Sequence, residues 1–179
     1  MPRSTGSFGL LALALVCLPG LACKTLSEVS VGYADAISTS ELPGEGPWTA
    51  VEVGFPALTA LDPLASPSLS RYAVTPADVD VVRATRVELD GPTGECGLPF
   101  TRIELRLRAA ELGATTLATA ARTGDCLIWT LTPDLDLAPW FRQPSVTLDA
   151  LVDGAPLDAA LPLSLRVAFL VDLHDKRID

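Results

Sequence analysis

The most regular pattern of apolar and polar positions lies within residues 96–132. Apolar and charged residues alternate strictly over residues 102–108. Successive side chains of a strand point to opposite faces, so this period of two predicts a strand with one buried face. Two further candidate strands follow at 115–121 and 126–132, each after a short turn that contains glycine. The stretch therefore predicts a three-stranded antiparallel meander.

Cys96 precedes the first of these predicted strands, and Cys126 is the first residue of the third. In an up-down-up meander the two strands start at the same end of the sheet. Strands two places apart are about 9–10 Å from each other, whereas a disulfide needs a Cα separation of about 5.5 Å. A Cys96–Cys126 disulfide therefore requires residues 96–100 to fold across the end of the middle strand, which Gly97 and Pro99 allow.

The same alternation recurs outside the meander and predicts five more strands. They lie at 28–37, 48–55, 81–90, 146–152 and 163–173, and the last is the most apolar. Thr75 and Pro76 predict the start of a helical turn, and residues 133–143 predict a short helical crossover. Eight strands separated by turn signals predict an all-β fold, an antiparallel β-sandwich. A β-barrel is the alternative, because alternation alone does not reveal closure.

The first 22 residues have a different pattern. Arg3 is followed by an apolar run over residues 8–18 and by the breaking pair Pro19-Gly20. This pattern is typical of a secretory signal peptide, and the apolar run is short for a membrane-spanning helix. We expect a signal peptide at 1–22, a tether with a possible first strand at 23–47, and a sandwich domain at 48–179 whose first strand could begin at 28.

The end of this segment, Leu21-Ala22-Cys23, resembles the lipobox of bacterial lipoprotein precursors, although Gly20 and Leu21 depart from the usual residues. The resemblance covers residues 1–23 only. It implies cleavage before Cys23 and lipidation of that cysteine, and Lys24 in place of an aspartate implies sorting to the outer membrane. The alternative is cleavage by the ordinary signal peptidase, which would give a soluble periplasmic or secreted protein.

The count of cysteines bears on that choice. Of the four in the chain, Cys17 lies in the segment that we expect to be removed. Pairing Cys96 with Cys126 leaves Cys23 as an odd thiol, which is unusual in an exported protein. Lipidation of Cys23 accounts for it, and a free or intermolecularly paired thiol is the alternative.

The chain is acidic, with a formal net charge of −9. Removing residues 1–22 removes one arginine and no acidic residue, which gives −10. Phosphate binding needs concentrated lysine and arginine, so the composition argues against nucleic acid as a partner. The acidic residues are scattered, as on an ordinary charged surface.

The sequence predicts no catalytic site, no metal site and no cofactor. His174 is the single histidine and has Asp172 and Asp175 beside it, a poor ligand set for a transition metal and more typical of a solvated chain end. Asp134-x-Asp136 and Asp78-x-Asp80 lack the glycine and distant glutamate of an EF-hand, so we interpret them as capping or turn residues. No Gly-x-Ser-x-Gly motif occurs.

Two groups of residues are candidates for interaction. Arg102, Arg106 and Arg108 share one face of their predicted strand, and they either bind an anion or pair with acids of neighbouring strands. Trp140 and Phe141 either plug one end of the sandwich or stand exposed as a wedge for a partner or membrane.

These features predict a lipid-anchored protein of the cell envelope that is not an enzyme and serves as a binding or structural module for another envelope protein. A carrier of an apolar ligand such as a lipid is an alternative, because the chain is aliphatic and its last strand is apolar on both faces. A hydrolase of envelope polymers is a third possibility, since pairs of carboxylates that meet only in space leave no sequence motif.

Overall fold

The computed structural model describes residues 25–38, 47–55, 58–91, 94, 96–155 and 162–177. These residues contain eight strands at the positions that the alternation predicts, with small shifts of their ends. The strands are β1 (Thr25–Ser38), β2 (Trp48–Gly54), β3 (Val79–Asp90), β4 (Phe100–Ala109), β5 (Gly113–Thr123), β6 (Cys126–Leu131), β7 (Thr147–Gly154) and β8 (Pro162–Arg177).

The strands form two antiparallel sheets. One sheet has three strands in the order β1-β8-β3, and the other has five in the order β2-β7-β4-β5-β6. The β4-β5-β6 meander is present as predicted, and β7 pairs with the other side of β4. The two sheets are separate and do not close into a barrel, so the predicted β-sandwich is confirmed.

The core lies between the sheets and follows the period of two. On β8, alternate residues from Leu163 to Leu173 are buried, whereas Arg166 between them is exposed. On β4, Ile103, Leu105 and Leu107 are buried in the same way. Burial of these apolar faces is the main stabilising contribution, at about 25 cal/mol per Å².

The connection between β2 and β3 contains two short helices among its described positions, ahead of the helical turn at Thr75. These are a 3₁₀ helix at Pro63–Ala65 and α1 at Pro67–Ser70. The Tyr33 hydroxyl of β1 donates to Pro63 O at 3.1 Å and so ties this loop to the three-stranded sheet. Burial raises the pKa of the Tyr33 hydroxyl, which keeps it a donor. The predicted helical turn begins at Thr75, whose amide donates to Asp78 Oδ2 at 2.7 Å.

The predicted crossover contains α2 (Ala138–Phe141), which lies along the outer edge of β3. Leu137 N donates to Val82 O at 2.8 Å. Asp136 Oδ1 accepts from both Val82 N and Ala138 N, at 3.0 and 2.9 Å. The crossover therefore satisfies backbone groups that an open edge strand would leave exposed.

A disulfide joins Cys96 to Cys126 across an isolated antiparallel bridge. Gly97, at a φ of 78°, donates its amide to Asp125 O at 2.8 Å. The chain then crosses the end of β5, where the Arg122 guanidinium donates to Leu98 O and to Phe100 O. The fold across the middle strand is the one that the spacing of the cysteines requires, and Arg122 holds it in place.

The close approach of β7 to this crossing yields a stability prediction. A Cβ atom on Gly154 would lie 2.6 Å from Pro99 O and 3.0 Å from the Phe100 Cα, and both atoms belong to the backbone. We expect Gly154→Ala to lower the free energy of unfolding by about 1–3 kcal/mol, because backbone must move to make room. Urea unfolding followed by tryptophan fluorescence measures this effect.

Gly54 provides the matched control, since it also ends a strand of the five-stranded sheet and a Cβ there would meet nothing within 4 Å. Gly54→Ala should leave stability nearly unchanged or raise it slightly. Equal losses for the two variants would show that the crossing is not tightly packed against β7.

Candidate interaction surfaces

The outer face of the five-stranded sheet carries a group of four ionic residues that we call the Asp149 cluster: Asp149, Arg106, Arg108 and Glu52. They come from three adjacent strands, β7, β4 and β2. The side chain of each lies on the face of its strand opposite to the residues that face the core. Arg106 is the direct cross-strand partner of Asp149. Alternation in three strands thus places all four on one surface.

Asp149 is the centre of the cluster and is only 2% exposed. Its Oδ1 accepts from Arg106 Nε at 2.6 Å, and its Oδ2 accepts from Arg108 Nε at 3.1 Å. Glu52 adds contacts to the same two guanidinium groups at 3.3 and 3.7 Å. Both oxygens of the covered carboxylate are therefore used inside the cluster.

Arg106 is the cation that this arrangement affects most. Burial lowers the pKa of Arg106. The hydrogen bond to Asp149 and the charges of Asp149 and Glu52 raise it by more, so the pKa lies above the ordinary arginine value. Arg106 is therefore always charged, and it forms an ion pair with Asp149.

The third predicted arginine is paired as well. Arg102 lies 3.5 Å from Glu104, and Glu104 Oε1 also accepts from the Thr116 hydroxyl at 2.8 Å. Three arginines thus face three carboxylates on this surface, counting Glu52 and Asp149. Of the two sequence interpretations, the geometry corresponds to a sheet face paired with neighbouring acids rather than to an anion site.

The two aromatic residues of α2 lie at one end of the sandwich. Phe141 is 1% exposed, and its ring meets that of Phe169 edge-to-face with centroids 5.0 Å apart. Trp140 is half-buried, and its indole Nε1 donates to Gly113 O at 3.3 Å. Phe141 therefore has the plug arrangement, whereas Trp140 keeps part of its ring at the surface.

Two large apolar side chains stand exposed among the described residues: Leu112 at 41% and Ile128 at 55%. Leu112 lies in the turn between β4 and β5, and Ile128 lies on the outer face of β6. Sequence reasoning singled out neither of them. The sequence contains a signal for Ile128. Leu127 faces the core, so the alternation places its neighbour Ile128 on the solvent-facing side of β6, where a polar residue is expected.

His174 and Asp172 lie near the end of β8 but contact different partners. His174 Nδ1 is 3.3 Å from Asp80 Oδ2, while Asp172 Oδ2 accepts from Arg83 at 2.9 Å. The side chain of Asp175 lies outside the described residues. Across the part of the chain that the structure describes, no group of three or more His, Cys, Asp or Glu residues is arranged to hold a metal ion.

A small cavity lies between the sheets. It measures about 10 Å³ and is lined by apolar side chains of both sheets, Trp129 and Leu165 included. That is close to the minimum for one water molecule. A bound acyl chain would need a far larger space than this cavity offers.

The residues predicted to carry the membrane anchor, Cys23 with the signal segment 1–22 and Lys24, lie outside the described residues. No helix of the described part is long and apolar enough to cross a membrane. The first described residue after the predicted anchor is Thr25, where β1 begins. Comparison with known proteins finds no family model, no curated protein and no solved structure that matches this chain.

Proposed function

We propose that this protein is a lipid-anchored protein of the cell envelope, held in the outer membrane by Cys23, whose β-sandwich is a non-catalytic binding or structural module for another envelope protein. One observation carries the proposal. Strand β1 begins at Thr25, only two residues after Cys23. A lipid on Cys23 would therefore be attached almost directly to a folded domain rather than through a long linker.

The Cys96–Cys126 disulfide supports export. Structural disulfides form and persist in oxidising compartments such as the bacterial periplasm, and they are rare in the cytosol. The disulfide also uses both internal cysteines, which leaves Cys23 as the unpaired thiol of the mature chain. Lipidation gives that thiol a role.

The polar groups that the sequence singles out have structural partners. The arginine face is neutralised by its own carboxylates, and Asp136 serves as a backbone cap. His174 is an exposed residue whose described contact is Asp80.

The anchor is tested by fractionating cells that express the full-length chain. Cys23→Ser should remove the protein from the outer-membrane fraction, because the thiol that receives lipid is gone. The variant should also escape cleavage by lipoprotein signal peptidase and accumulate as a precursor that retains residues 1–22. Cys17→Ser is the matched control, since its residue lies in the predicted signal peptide, and it should remain with membranes. Globomycin, which blocks lipoprotein signal peptidase, should make the precursor accumulate. A Cys23→Ser protein that is still cleaved before residue 23 and still found in the outer-membrane fraction would contradict the anchor.

The partner is tested by a photo-crosslinking residue placed at Ile128, on the exposed face of the five-stranded sheet. We expect one discrete adduct in intact cells. The matched position is Thr85, exposed on β3 of the other sheet, and it should not give the same adduct. Identical crosslinks at both positions, or none at Ile128 and its neighbours, would contradict binding through this face.

A further inference from the structure

Lipidation of Cys23 would place one particular end of the sandwich at the membrane. We call this the tether end, and define it by the pairing of Thr25 of β1 with Arg177 of β8. Two residues span at most about 7 Å in an extended chain. The lipid-bearing residue and the first paired residue of the fold are therefore within that distance of each other.

The same half of the sandwich as the tether end contains α2 and the turn between β4 and β5. Val79, the first residue of β3, pairs with Leu173, four residues before Arg177 on β8, and Arg142 Nε donates to Val79 O at 3.1 Å. This contact places α2 beside the last part of β8. Trp140 of α2 in turn donates to Gly113 O, which brings the β4–β5 turn there as well. Leu112, one of the two exposed large apolar residues, belongs to that turn.

The other exposed apolar residue lies towards the opposite end. Ile128 is two residues from Cys126, and the disulfide lead-in beside it reaches Gly91 through Leu98. Gly91 directly follows Asp90, the last residue of β3. Asp90 pairs with Ser164 near the start of β8. The two exposed apolar side chains therefore lie towards opposite ends of the fold, and each can report on its own end.

We propose that the tether end rests on the phospholipid bilayer, with Leu112 and the exposed part of Trp140 at the headgroup boundary. This inference rests on the lipidation of Cys23 proposed above. The headgroup region is about 5–8 Å thick on each side of the hydrocarbon core, so a 7 Å connection holds this end against it. Tryptophan and leucine are suited to that boundary, since an indole has an apolar body and a polar N–H.

The test uses the full-length lipidated protein, reconstituted into vesicles of phosphatidylethanolamine and phosphatidylglycerol. Leu112→Cys and Ile128→Cys are labelled with the same environment-sensitive fluorophore, after the Cys96–Cys126 disulfide has been verified by mass. Vesicles that contain lipid with a nitroxide on its headgroup quench labels that lie at the membrane surface. We expect the label at 112 to lose most of its emission and the label at 128 to keep it.

The outcomes separate the two proposals. Equal emission of both labels in nitroxide vesicles, with the protein floating with the vesicles, would overturn the orientation and leave the anchor standing. Shielding of the 112 label from aqueous iodide without quenching by lipid would indicate a protein partner on that end and would also overturn the orientation. Failure of the protein to float would overturn the anchor and the orientation together.

Discussion

Removing the Cys96–Cys126 disulfide is expected to lower the free energy of unfolding by about 3–4 kcal/mol, the chain-entropy estimate for a loop of this length. The bond spans a sequence separation of 30. It attaches the lead-in to the outer side of β6, and from there the chain crosses the end of β5 to begin β4. Without the bond, hydrogen bonds such as those of Arg122 must hold this crossing.

The variants are best measured in a Cys23→Ser background, by urea unfolding. Either single substitution already breaks the disulfide, so Cys96→Ser, Cys126→Ser and the double variant should be destabilised to about the same extent. Reduction of the disulfide in the parent should lower the free energy of unfolding by the same amount. A small additive cost for each serine, with no effect of reductant on the parent, would show that the bond contributes nothing to stability.

Replacing Asp149 by alanine is expected to lower the free energy of unfolding by about 2–4 kcal/mol. Removing one partner of a buried ion pair leaves the other charge uncompensated, which costs about 3–5 kcal/mol when both are fully buried. Arg108 and Glu52 are substantially exposed, so water compensates part of the loss here. The measurement is again unfolding in urea.

A cycle with Arg106 separates the ion pair from general loss of packing. Asp149→Ala combined with Arg106→Leu should cost clearly less than the sum of the two single variants, since the uncompensated guanidinium is then removed as well. Glu111→Ala removes an acid from an exposed turn and should change stability by less than about 0.5 kcal/mol. An Asp149→Ala variant as stable as the Glu111→Ala control would show that the cluster is not structurally important.

Much of the fold follows from local pattern. Ile103, Leu105 and Leu107 on β4, and Leu165 and its neighbours on β8, are buried because side chains alternate between the faces of a strand. What alternation does not specify is which strands pair. The neighbours of β8 are β1 and β3, which lie far from it in sequence, and β4 lies beside β7 across a long connection. Such pairings depend on packing over long sequence separations.

The same limit applies to the interaction surfaces. The arginines of β4 were visible as a row, but the carboxylate that binds two of them, Asp149, lies more than forty residues away and becomes their neighbour only through the β4–β7 register. Arg122 is likewise at an ordinary polar position of β5, and only the crossing of the lead-in gives it two carbonyl partners. The cysteine pair was predictable because the order of three consecutive strands is local.

The most direct test is the intact mass of the protein purified from bacterial membranes without reductant. If the chain is exported, closed by the Cys96–Cys126 disulfide and anchored by lipid, its mass will correspond to residues 23–179 with acyl groups on Cys23. It will also contain two hydrogens fewer than the fully reduced chain. A mass that includes residues 1–22, or one that matches an unmodified chain with all its thiols free, would contradict it.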